Sequence, residues 1–105
     1  MSQVTLEKYI RGWIDEASRD VIGLWNLCKA ARQDFGGRTP EEIKVLVLGF
    51  VRELLANGVQ AINVSDGRPW PDQRPDSVIK RISREWDALG HEPNVPDIVW
   101  FKKQN

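Results

Sequence analysis

Cysteine and histidine are almost missing from this chain of 105 residues, which has one of each, Cys28 and His91. A lone cysteine forms no internal disulfide, and two such residues in total exclude an ordinary Cys/His zinc cluster. The single histidine also leaves only one conventional imidazole base for acid–base chemistry. Long apolar runs are missing too. The longest, Val45-Leu46-Val47-Leu48-Gly49-Phe50-Val51, has seven residues, where a membrane-spanning helix needs about 20. The first eight residues, Met1 to Lys8, carry acid and polar groups where a secretory signal is apolar. No Walker-type loop, dinucleotide fingerprint or nucleophile elbow occurs, and Gly36-Gly37 alone is too little for a phosphate cradle.

Net charge is lacking as well. Fifteen basic side chains meet fifteen acidic ones. The balance holds regionally, at six against five over 1–38, two against three over 39–65 and seven against seven over 66–105. Non-specific nucleic-acid binding draws most of its free energy from phosphate neutralisation, so it wants a basic surplus that this chain does not have. These absences point to a soluble cytoplasmic protein with no cofactor, no metal and no catalytic centre. What is present is ordinary for a globular domain: 41% hydrophobic and 29% charged residues. That length makes one domain, 1–105, with a core that needs no covalent staples.

The clearest element runs from Thr39 to Asn57. Thr39-Pro40-Glu41-Glu42 offers a capping hydroxyl, a proline at the first helical position and a glutamate able to bond back to the cap. Ile43, Leu46, Val47, Phe50, Val51, Leu54 and Leu55 then recur at helical spacing, and Asn57-Gly58 turns the chain off the helix. Upstream, Leu6, Tyr9, Ile10, Trp13, Ile14 and Ala17 share that period, as do Val21, Leu24, Trp25, Cys28 and Ala31. They read as helices over about 4–17 and 20–34, or as one bent helix. Ile79, Ile82, Trp86 and Leu89 mark a fourth helix from Pro75 to a stop at Gly90. Two stretches read as strands, 59–64 and 97–102, and the economical arrangement pairs them with each other. The expected fold is α+β, mostly helical, with three or four helices and a small two-stranded sheet.

The loop Asp66-Gly67-Arg68-Pro69-Trp70-Pro71-Asp72-Gln73-Arg74-Pro75 is the most informative irregular stretch. Trp70 sits between two prolines, so it belongs to no regular element. It either anchors an interface from a stiff loop or folds back as a lid on the core. Lys80, Arg81 and Arg84 could mark a recognition helix, but Asp76, Glu85 and Asp87 dilute them and a solvated face accounts for them as well. Asp66, Asp72, Asp76, Glu92 and Asp97 are candidate contacts to a basic partner. With Trp70 they make up the expected partner-binding set. Trp13, Trp25, Trp86 and Cys28 fall on helical stripes and read as core. His91, just after a helix stop, suits the negative end of the helix dipole. Trp100 and Phe101 alternate on the last strand, so one of them faces away from the sheet's buried side unless both faces are covered.

Leu24-Trp25-Asn26-Leu27, followed by Leu54-Leu55-Ala56-Asn57-Gly58-Val59 running from helix into strand, resembles two protein groups. One is the winged helix, in which a helix ends in such a turn into a small sheet. The other is the small immunity proteins of contact-dependent growth inhibition and related bacterial polymorphic toxin systems. Those continue through a proline- and tryptophan-containing loop and another helix to a final strand ending in Trp-Phe, as Asp97-Ile98-Val99-Trp100-Phe101 does here. The similarity spans residues 20–102. It implies a non-enzymatic toxin inhibitor that binds the toxic C-terminal domain of a cognate effector one-to-one. The winged-helix likeness implies the alternative, a DNA-binding transcriptional regulator, here using the fourth helix.

Overall fold

A computed structural model describes residues 3–95 and 97–103. The chain runs α1 (Gln3–Arg19), β1 (Ile22–Gly23), α2 (Leu24–Asp34), α3 (Pro40–Ala56), β2 (Val59–Ile62), α4 (Pro75–Leu89) and β3 (Trp100–Lys103). α3 is the element around which the others pack. Its start is the expected capping box: the Glu42 N–H donates to Thr39 Oγ1 at 3.1 Å, and the Glu42 carboxylate accepts from the Thr39 N–H at 3.0 Å. Ile43, Val47, Phe50, Val51 and Leu54 are buried along one face. After Asn57, Gly58 takes φ 83°, a left-handed conformation that a side chain would strain, and the chain enters β2.

α1 and α2 close over α3 through rings. Tyr9, Trp13, Phe35 and Phe50 form a closed set with centroids 5.0–5.4 Å apart and tilted or edge-on planes, the geometry ring quadrupoles favour. The Tyr9 hydroxyl donates to the Asp34 carboxylate, tying α1 to the end of α2. That bond, with burial and the Asp34 charge adding to it, pushes the phenol above its ordinary range. α4 lies antiparallel to α3. Arg52 meets Asp76 at 2.9 Å near one end, and Lys44 meets Asp87 at 2.6 Å near the other.

The sheet contains the expected pairing of the two stretches, now β2 and β3, and adds a third strand to the expected two. It has three strands in the order β1-β3-β2, all antiparallel, with β3 in the centre. The extra partner is Ile22-Gly23, at the head of the stretch read as a helix over 20–34. α2 starts only at Leu24, where the Asn26 side-chain oxygen accepts the Gly23 N–H at 2.9 Å. The two expected strands are also shorter. β2 ends at Ile62, because Asn63 turns back to bond Arg68 and Gly67. β3 begins at Trp100, because Ile98 has φ 66° and the Val99 N–H donates to the Asp97 carbonyl at 2.8 Å around it. That three-residue turn is strained for a β-branched residue.

Helix, strand, two helices and two further strands, with the last strand central, is a partly winged-helix-like order, and α4 stands where that fold has a short wing. Ile22, Phe101 and Ala61 are register partners facing the core, all of them buried. Gly23, Trp100 and Ile62 form the next row and face the other way.

Candidate functional site

Trp70 is not a surface anchor. It is 2% exposed and belongs to the main core cluster, so the lid is the arrangement the molecule adopts. The reason is the open edge of β2. Ala61 points its N–H and C=O away from β3, and the Trp70 loop takes up both. Trp70 N–H donates to the Ala61 carbonyl at 2.9 Å. The Gln73 amide donates to the same oxygen at 2.8 Å and accepts the Ala61 N–H at 2.9 Å. An unprotected strand edge invites pairing with other chains, and this loop closes it. Above the Trp70 ring, the Arg81 guanidinium carbon sits 3.7 Å from the centroid, and the Arg81 Nε–H donates to Glu85 at 2.7 Å. Arg81 is thus spent on structure, and it drops out of the proposed basic recognition face.

The five expected acidic contacts are distributed rather than gathered. Asp66 and Asp72 lie in the β2–α4 loop, Asp76 in the first turn of α4, and Glu92 and Asp97 beyond its far end. Asp76 and the helix stop are separated by about 20 Å of helix. Most of these carboxylates already have internal work. Asp66 accepts the Arg68 N–H at 3.0 Å, and that bond is the first reason its carboxyl is held below the usual range. Asp72 takes both the Arg74 guanidinium, at 2.7 and 3.0 Å, and the Arg74 N–H. Asp76 pairs with Arg52 and Glu92 with Arg32, and Asp97 accepts the Asn94 N–H at 2.7 Å.

The Arg74 side chain, then its N–H and the Ser77 hydroxyl, hold the Asp72 carboxyl well below the carboxylate range. A group whose pKa is lowered by folding stabilises above its unfolded value, and that contribution fades as acid protonates it. Asp72→Asn is therefore expected to lower the urea midpoint at pH 7. The gap to the parent should narrow as pH falls below about 4.

Trp25 departs from the expected core set. Trp13 and Trp86 are buried, whereas Trp25 is only half-buried, as is Trp100. The two lie together on the outward face of the sheet. A Cβ placed on Gly23 would meet Trp25 Cδ1 at 2.7 Å and Trp100 Cδ1 at 3.4 Å, so both indole edges share the space a side chain would fill. Glycine is needed there for close approach. Next to Trp100 in the same row is Ile62, buried yet outside the main core cluster. The Trp100 indole N–H donates to the Val95 carbonyl at 3.1 Å, fixing the ring. Val95 itself is 53% exposed, on a turn held by reciprocal bonds between Asn94 and Asp97. The result is a surface of two half-buried indoles, that of Trp100 held by its hydrogen bond, with an exposed aliphatic tip beside them. The helical stripe concealed it, because Trp25 follows the strand row by only two residues and shares the period of α2.

Cys28 is in the core as expected, and burial pushes its thiol up to about 12. At pH 8 it should react with a disulfide reagent at least roughly a thousandfold more slowly than in urea-unfolded chain, because attack needs both exposure and thiolate. His91 is exposed, its Nδ1 2.9 Å from the Glu92 carbonyl. Among the described residues no group of three or more His, Cys, Asp or Glu could hold a metal ion, and no helix is long and apolar enough to cross a membrane. No protein-family model matches the chain, and no curated protein or solved structure does either.

Proposed function

We propose that this chain is an immunity-type inhibitor: it binds the toxic C-terminal domain of a cognate bacterial effector one-to-one in the cytoplasm and neutralises it, without chemistry of its own. The observation that carries the reading is the Trp25–Trp100 pair, half-buried and side by side over Gly23, with the Trp100 indole fixed by a hydrogen bond to the Val95 carbonyl. Tryptophans dominate the energetics of protein interfaces because they offer a large contact area, and an indole that is already held loses little freedom on binding. Val95 adds an aliphatic contact, and Asp97 serves by holding the turn that presents it. The toxin partner comes from the resemblance carried by residues 20–102.

The surface of α3 favours a protein over DNA as the partner. In a helix-turn-helix arrangement, the helix that enters the groove must present groups that phosphate and base edges accept. The solvent side of α3 presents Glu41, Glu53, Gly49 and Val45, the last 72% exposed. Its two cations, Lys44 and Arg52, are taken by Asp87 and Asp76 of α4. On α4, Lys80 and Arg84 alone remain of the proposed basic trio.

The test is inhibition of the effector's toxic domain by purified protein. Activity is expected to fall to background at one equivalent, with the two proteins co-eluting on size exclusion. Undiminished toxin activity at several-fold excess, or a shifted pool of random DNA duplexes at physiological salt, would reject the reading.

A further inference from the structure

Between the start of α3 and the end of α4 lies a half-open cavity of about 360 Å³, within the size range of small-molecule sites. Ile43 and Trp86 line it with apolar surface, and Arg38, Asp87, His91 and Glu92 supply its polar groups. The charges around it are not equivalent. Asp87 is neutralised by Lys44 at 2.6 Å, and Glu92 by Arg32. Arg38 makes no close ion pair among the described residues, although its charge acts on the nearby Glu42 carboxylate, which the Arg38 and Thr39 N–H groups hold. At His91, a carbonyl can only accept, so Nδ1 carries the proton toward Glu92 and Nε2 is left for a ligand.

We infer that this cavity binds a small monocarboxylic acid with a flat apolar body. The body lies against Trp86 and Ile43, the carboxylate takes the planar fork of Arg38, and His91 Nε2 faces the ligand's polar edge. The surrounding charge selects this class. A cation would find both acidic side chains already paired. A phosphate would bring a second negative charge that Arg38 alone leaves unmatched, whereas one guanidinium matches one carboxylate. The site shares no residue with the Trp25–Trp100 face and does not depend on the proposed function.

The probe is indole-3-acetate, titrated into the ¹⁵N-labelled full chain, with indole-3-acetamide as its uncharged counterpart. Saturable shifts are expected at the Trp86 indole N–H and at Gly90 and His91, with the acid binding about ten- to a hundredfold more tightly than the amide. Arg38→Ala should abolish that preference, while Trp100→Ala leaves it unchanged. Equal binding of acid and amide, shifts confined to other tryptophans, an unaltered preference in Arg38→Ala, or no saturation would each overturn the inference.

Discussion

A Trp100→Ala chain is expected to bind its toxin partner at least about thirtyfold more weakly than the parent, a loss of roughly 2 kcal/mol or more. The loss should appear mainly as faster dissociation, since the change removes contact area rather than steering charge. Trp25→Ala should cost a similar factor. The two indoles share the space over Gly23, so the double substitution should cost less than the two single losses combined. Trp100 is half-buried and its removal disturbs the row containing Ile62, so each variant needs an unchanged far-ultraviolet signal and a cooperative melt. Val45→Ala, on the exposed side of α3, is the matching control. It removes a more exposed aliphatic group and should leave affinity within about twofold of the parent.

Trp70→Ala is expected to have the largest effect on stability, and little on binding. Removing a fully buried indole typically costs about 3–5 kcal/mol, a large part of the roughly 5–15 kcal/mol available to a domain. The melting temperature should fall by roughly 15 °C or more. Two features separate this from generic core damage. The Trp70 indole N–H is buried without a hydrogen-bond partner among the described residues, so Trp70→Phe removes an unsatisfied donor and should cost much less than alanine. Gln73→Ala should expose the Ala61 N–H and raise the tendency of the folded chain to self-associate, because it reopens the β2 edge. Thermal melts of the three variants, with light scattering for the last, check both statements. At temperatures where Trp70→Phe is fully folded, its partner affinity should equal the parent's, unlike that of Trp100→Ala.

Elements with their own local signals could be read from the chain. The capping box at Thr39, the helical spacing through Leu54 and the glycine at 58 act within a few residues of one another, and α3 formed where they place it. α4 has Pro75 and Gly90 at its ends and was equally readable. Features that depend on distant partners were not. β1 is two residues long and exists only because β3 passes beside it, so no alternation could reveal it. Trp70 had two readings in sequence because its neighbours restrict the backbone without saying which way the ring turns. The open edge at Ala61, twelve residues from Gln73, decides the matter. Trp25 fits a helical stripe as well as its neighbours do. Only the register that sets Gly23 opposite Trp100 moves it from the core to the outward face. Two of the carboxylates are lost to a patch for a similar reason: Arg52 and Arg32 claim Asp76 and Glu92 across elements whose packing the sequence does not announce, while Arg74 claims Asp72 within their own loop.

The chain carries its own reporters for the central claim, the indole N–H groups of its five tryptophans. With the toxic domain added stepwise to labelled protein, the signals of Trp25 and Trp100 should shift and saturate at one equivalent, as toxin activity disappears. Those of the buried Trp13, Trp70 and Trp86 should stay nearly in place. Full neutralisation with the Trp25 and Trp100 signals unmoved would contradict the account.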